Sequence, residues 1–240
     1  MRTETLRRLE RIALLILLLA LGGSLFLAWE QIEQARFVLQ AASRSSTLRP
    51  IPEVVGRRIG LIAGHSGYDS GAVCPDGLRE VDINQAVASR TAEYLRQAGA
   101  IVDVLTEFDV RLEGYRADAL LSIHSDSCID ASGFKIARSE ASIIPSTEDL
   151  FVACLYQAYE QVTGLPRHDG SITHDMTKYH AFRVIDPKTP AAIIELGFMG
   201  GDREVLTAEQ DRVAYGLAQG IICFLSGKAV PTLPASAPPP

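Results

Sequence analysis

The sequence predicts an α/β fold: a single domain with a mixed, largely parallel twisted sheet flanked by helices on both faces, preceded by one transmembrane helix. Three observations carry that prediction. Short apolar runs alternate with longer amphipathic ones between residues 56 and 228, the alternation that builds parallel sheets covered by helices. Polar residues able to do chemistry stand where the apolar runs end, as expected of ligand sites at the carboxyl ends of strands. An uncharged run of eighteen residues, Ile12–Trp29, lies apart near the N-terminus.

A helix over Ile12–Trp29 spans roughly 27 Å, close to the hydrocarbon thickness of a bilayer. Arg2, Arg7, Arg8 and Arg11 precede it, against only Glu4 and Glu10. The positive-inside rule therefore makes residues 1–11 a cytoplasmic stub and sends the rest of the chain across the membrane. A cleaved signal peptide would carry a shorter apolar region and a small-x-small site. Here Trp29, Glu30 and Gln31 follow instead, which favours an uncleaved anchor over 12–29. Residues 30–46 keep Ile32, Ala35 and Leu39 on one helical face, and Pro50 and Pro52 then break the pattern. Residues 30–55 read as a helical stalk and linker. At the other end PTLPASAPPP holds five of the twelve prolines, so 229–240 is read as an extended Pro-rich tail.

Within 56–228, Arg58–Ala63 is a short apolar run that predicts a strand. Val81–Ala98 places Ile83, Val87, Tyr94 and Leu95 on one helical face, with Gly99 as the residue that ends it. Ile101–Leu105 and Ala119–Ile123 predict two more strands. Ser146-Thr147-Glu148-Asp149 reads as a helix start, and Leu150, Cys154, Ala158 and Val162 share a face up to Gly164. Ala191–Ile194 predicts a final strand. Thr207-Ala208-Glu209-Gln210 has the form of a capping box, opening a helix through Val213, Leu217, Ile221 and Leu225.

Four residues at the ends of these elements can do chemistry. His65 follows the first strand through Gly64, His124 follows ALLSI, Glu195 follows AAII, and Glu80 opens the first long helix. Two imidazoles and a carboxylate suit zinc, with a fourth position kept for water. A carboxylate ending an apolar strand is costly unless it is bonded, beside a metal, or used as a base. Taken singly, each has a plain reading: a structural histidine, or a helix-start charge favoured by the dipole. Together they point to a site.

The local sequences IGLIAGHSG, Glu80 fifteen residues after His65, SIHSDS, and PAAIIELGFMGGDRE resemble the zinc-dependent N-acetylmuramoyl-L-alanine amidases over about residues 57–226. The helix opening Glu80-Val81-Asp82-Ile83-Asn84 is also similar to that family. The resemblance implies that His65, Glu80 and His124 bind zinc. It implies that Glu195 is the general base for a zinc-activated water, and that the substrate is the peptidoglycan amide between N-acetylmuramic acid and L-Ala. Ser66 stands where the family has glycine, and Ser125-Asp126 where it has Ala-Asn; these departures bear on the substrate rim, not the ligands. Two alternatives stay open on the residues: another zinc peptidase of cell-wall peptides, or a catalytically inactive, membrane-tethered wall-binding or regulatory protein.

Asp126, Arg167, His174 and His180 are the rim residues expected near substrate, with a second metal site in the 167–180 stretch as the alternative. Cys74 lies in the loop between two expected ligands and Cys128 lies four residues past the third. In an extracytoplasmic domain a Cys74–Cys128 disulfide is allowed; two free thiols are the alternative. Cys154 and Cys223 fall on apolar helix faces and are expected to be core residues.

The 47% hydrophobic and 22% charged content excludes a disordered or collagenous chain. A net charge of −6 excludes nucleic acid as the main partner. Four Arg against two Glu leave the stub at +2, so the remainder carries −8. Such a domain has no simple electrostatic grip on an anionic wall. The expected location is a single-pass cell membrane protein, N-terminus cytoplasmic and catalytic domain outside.

Overall fold

Arg58–Ala63 forms strand β1, and every residue after Arg58 is buried. That is the mark of a parallel strand covered on both faces. The computed structural model describes residues 50–227. The expected cytoplasmic stub, the expected anchor, the expected stalk up to residue 49 and the expected tail over 229–240 lie outside them. Among the described residues no helix is long and apolar enough to cross a membrane.

The other strands are β2 (Ile101–Leu105), β3 (Ala119–Asp126), β4 (Lys135–Ala137) and β5 (Ala191–Phe198). The sheet order is β2-β1-β3-β5-β4. The first four strands run parallel, and β4 closes one edge antiparallel to β5. The sheet is therefore mixed and mostly parallel, as expected. β3 and β5 run further than their apolar runs, because His124 and Glu195 are themselves sheet residues in direct register. β4 was not expected: three residues are too few to show a period of two.

The long helices are α1 (Glu80–Gln97), α2 (Pro145–Thr163) and α5 (Gln210–Ser226), with two short ones, α3 (His174–Thr177) and α4 (Arg203–Ala208). Ile83, Val87, Leu155, Tyr159, Leu217 and Ile221 from the long helices share one core with Leu61, Leu121 and Ile194 of the sheet. The opposite face, with Ile62, Leu120 and Ile193, is covered by Leu112, Tyr115, Met176, Tyr179 and Ala181. The helical cover is thus uneven: three long helices on one face, short turns and α3 on the other.

Two helix starts differ from expectation. α2 begins at Pro145 with Ile144 at the N-cap, so Ser146 lies inside the first turn. The capping box at Thr207 does not form, because residues 203–208 are already helical; the Thr207 hydroxyl donates to Arg203 O at 2.8 Å.

The end of the expected linker is part of the domain. Val54 is fully buried. Ile51 N donates to Ala98 O at 3.0 Å, and Gly56 N to Gly99 O at 2.9 Å. The open carbonyls at the end of α1 supply these acceptors.

Cys154 and Cys223 are buried, but as a disulfide rather than as core thiols, with Cα atoms 5.7 Å apart. The helices are close enough because Gly220 has no side chain. A Cβ there would meet Leu155 Cα at 2.9 Å. Cys74 and Cys128 are also bonded, Cα to Cα 5.5 Å, and tie the loop before α1 to the loop after β3.

Candidate functional site

His65 leaves the end of β1 with φ +65°, the left-handed region that side chains other than glycine seldom adopt. The turn aims its ring at α1. Glu80, in the first turn of α1, is buried, and His124 is a buried residue of β3. His65 Nε2 lies 3.2 Å from Glu80 Oε2, and His124 Nδ1 lies 3.1 Å from Glu80 Oε1. One ligand atom from each of the three residues falls within 4.8 Å of the others, a group able to hold a metal ion. The site depends on two missing side chains. A Cβ on Gly64 would strike the His124 ring at 2.5 Å, and one on Gly71 would meet Glu80 Oε2 at 2.5 Å.

The three donors are held from behind. Asn84, one turn along α1, donates to Glu80 Oε1 at 3.1 Å, and the Ser125 and Ala72 amides donate to the same carboxylate. Asp69 Oδ1 is bonded to His65 Nδ1. Glu107, just past β2, accepts from the His65 amide at 2.6 Å and lies 3.6 Å from His124 Nε2. The Asp69 carboxylate behind the His65 ring fixes its orientation, as metal-bound histidines usually require, whereas His124 Nε2 faces Glu107 without a hydrogen bond.

Glu195 lies across from His124 in the β3–β5 register and from Lys135 in the β4–β5 register. Its Oε2 is buried without a hydrogen-bond partner. Burial is the main cause that pushes its carboxyl up to about 7, with the His124 charge opposing. Burial also raises Glu80, but bonds from His124 and His65 outweigh it and hold that carboxyl well below the usual range. The Glu80 bond raises His65 to about 9 against the pull of burial. For Glu107, bonding to His180 and the His124 charge overcome burial and lower it to about 2. Three buried or half-buried carboxylates therefore surround two imidazoles, a surplus of negative charge that suits a cation.

Among the expected rim residues, His180 reaches the site, with Nε2 2.7 Å from Glu107 Oε1. Asp126 ends β3 and pairs with Lys135 Nζ at 2.6 Å. Arg167 is not brought there: it pairs with Glu160 at 2.9 Å and stacks on Tyr156. His174 is an exposed residue at the start of α3. The two serines that depart from the family pattern are bonded to α1: Gln85 donates to Ser66 Oγ at 2.8 Å, and Ser125 Oγ donates to Asn84 at 3.0 Å.

Sequence reasoning missed Glu107, although it stands two residues past an apolar strand and so carried the same signal as His65. It also missed Lys135, whose strand is too short to notice. Tyr179 was missed too; its hydroxyl donates to Glu107 at 2.7 Å and accepts from Ser122.

The N-acetylmuramoyl-L-alanine amidase family (Amidase_3) matches residues 59–223, a span holding the His-Glu-His cluster and Glu195. The chain belongs to this family. The amidase is an enzyme of peptidoglycan hydrolysis. A germination-specific N-acetylmuramoyl-L-alanine amidase of Bacillus subtilis (strain 168) is 29% identical over 203 residues, covering 73% of the amidase and 83% of that protein. The CwlD amidase from Clostridioides difficile, solved in complex with the GerS lipoprotein, aligns at TM-score 0.58 and 21% identity, over 72% of the amidase and all of that chain (100%). The catalytic domain of CwlV, an N-acetylmuramoyl-L-alanine amidase from Bacillus (Paenibacillus) polymyxa var. colistinus, aligns at TM-score 0.57 and 24% identity, over 72% and 99% of the respective chains. At those identities the two structures share the fold.

Proposed function

We propose that this amidase uses zinc to hydrolyse the amide between N-acetylmuramic acid and the L-Ala of the stem peptide. The observation that carries the reading is the His65–Glu80–His124 cluster beside the buried, unpartnered Oε2 of Glu195. Two imidazoles and one carboxylate are the donor set of a catalytic zinc with one position open. The carboxylate surplus around them fits a cation. Zinc, when bound, lowers the pKa of a water and polarises the scissile carbonyl.

The chain's own residues do the rest. Glu195, with its carboxyl raised to about 7, accepts a proton from the attacking water near neutral pH and delivers it to the leaving amine. Asp69 holds the His65 imidazole, and Glu107 holds the His65 backbone amide and places its charge beside His124. Lys135 and Asp126 border the cleft beside Glu195.

Purified peptidoglycan should release intact stem peptides bearing free L-Ala amines, read by mass spectrometry. Glu195→Gln should keep its zinc content and lose release by about 10²–10⁴-fold. Release at the wild-type rate would remove Glu195 as the base, and fragments cut within the stem would remove the bond assignment.

We also propose that residues 12–29 anchor the chain, with 1–11 cytoplasmic, 30–55 leading to the domain and 229–240 as a tail. The catalytic domain then faces its substrate outside the membrane. Two disulfides support this location, since such bonds persist in oxidising compartments.

A further inference from the structure

Among the described residues, two aromatic side chains are prominently exposed, Tyr68 at 68% and Phe108 at 54%. They are far apart in sequence, yet their ring centroids lie 4.7 Å apart, edge to face. Phe108 also stacks on His180, with centroids 4.3 Å apart and planes inclined by 30°. Leaving two large rings in water is unfavourable unless something covers them.

The pair is built into the site. Tyr68 follows His65 by three residues, and Phe108 follows Glu107. Glu107 N donates to Ser66 O at 3.0 Å, and its carboxylate accepts from the His65 amide. His180 in turn bonds to Glu107. The backbone and carboxylate that support the His65 ligand thus also set the rings in place. They form a ledge at the carboxyl ends of β1 and β2, on one side of the cluster. Glu195, Asp126 and Lys135 lie on the other side, on β5, β3 and β4.

We propose that Tyr68 and Phe108 are a carbohydrate-binding ledge that takes the pyranose ring of the muramic acid on the glycan side of the scissile bond. The inference rests on the amidase reading above. The bond joins two unlike halves, a glycan whose rings present flat C–H faces and a peptide carrying carboxylates. The ledge offers flat π-faces. The carboxylates beside it are already taken: Asp69 is bonded to His65 Nδ1, and Asp109 to Arg111. The cation that borders the cleft, Lys135, lies on the other side, so the ledge offers a peptide carboxylate no such partner, and an uncharged sugar face needs none. The sheet order then sets the direction of the substrate, with glycan over β1 and β2 and peptide over β5 and β4.

The test is calorimetric titration of the zinc-loaded wild type, Tyr68→Ala and Phe108→Ala with two probes. One is a peptide-free tetrasaccharide of N-acetylglucosamine and N-acetylmuramic acid; the other is the free stem tetrapeptide. Each substitution should weaken tetrasaccharide binding about tenfold, as the loss of one stacked ring predicts, and change tetrapeptide binding less than about twofold. Both side chains are exposed, so circular dichroism should match the wild type. Three results overturn the ledge: no tetrasaccharide binding to the wild type, unchanged tetrasaccharide affinity in both variants, or the loss falling on the tetrapeptide. Peptide release from purified wall is measured alongside. Release with no glycan effect sinks the ledge alone, whereas absent release sinks the amidase reading while the titrations still report on the ledge.

Discussion

Glu148 shows how one buried carboxyl sets a pH dependence away from the catalytic cleft. Its Oε1 accepts from Ala191 N at 3.1 Å and ties the start of α2 to the start of β5. Burial is the largest cause raising its carboxyl above the ordinary 4.5, against a bond from Ser142. A carboxyl whose folded value is raised contributes its full stability below about 4.5 and loses it as pH rises through the raised value. Glu148→Gln keeps an acceptor and removes the charge. Urea unfolding at pH 4 and pH 8 should show the variant gaining stability relative to wild type as pH rises; a difference that shrinks with pH would contradict the assignment. Legibility at this scale followed position. His65, Glu80, His124 and Glu195 were visible because each stands where an apolar run ends or a helix opens, although β3 and β5 continue past His124 and Glu195. Glu107 had the same cue at the end of β2 but sat among polar neighbours that read as loop. Arg167 and His174 were chosen for residue type within a polar stretch; Glu160 and Tyr156 hold Arg167 elsewhere, and His174 is exposed at the start of α3.

At the scale of elements, the Cys154–Cys223 bond clamps α2 to α5 across 69 residues of sequence. Replacing both cysteines with alanine should cost about 2–5 kcal/mol by urea unfolding. The peptide-release rate should hold, because both residues lie on helices away from the cluster. A double variant as stable as wild type would mean the helices hold each other without the bond. The strands β1 and β2 matched their predicted runs residue for residue; β1 after Arg58 is covered on both faces and apolar, whereas β2, at the sheet edge, keeps Asp103 within the strand. The helix starts did not. Side-chain caps were expected at Ser146 and Thr207, but Pro145 and the preceding helical turn took those places. Capping signals are short, and neighbouring backbone decides whether a residue stands at an end.

For the whole molecule, metal and fold are linked through three elements: β1, α1 and β3 each supply one donor. Removing the metal leaves their surplus carboxylate charge uncompensated. Chelation should abolish peptide release and lower the Tm, and zinc should restore both. Zinc at 100-fold above its Kd stabilises by about 2.7 kcal/mol. Restoration by magnesium in place of zinc would argue against the nitrogen-rich site. The α/β class, the order of the main strands and helices, the four residues at the ends of apolar runs or the start of a helix, and an acidic chain with an apolar N-terminal run all came from sequence alone. They did so because hydrophobic period and residue type are local properties. Tertiary structure decided the rest: the antiparallel edge strand, the second disulfide, Glu107 set between the His65 amide and the His124 ring, and two exposed rings from separate loops meeting at one side of the cluster. Each depends on segments distant in sequence being packed together, and packing distances are set by the fold as a whole rather than by any local pattern.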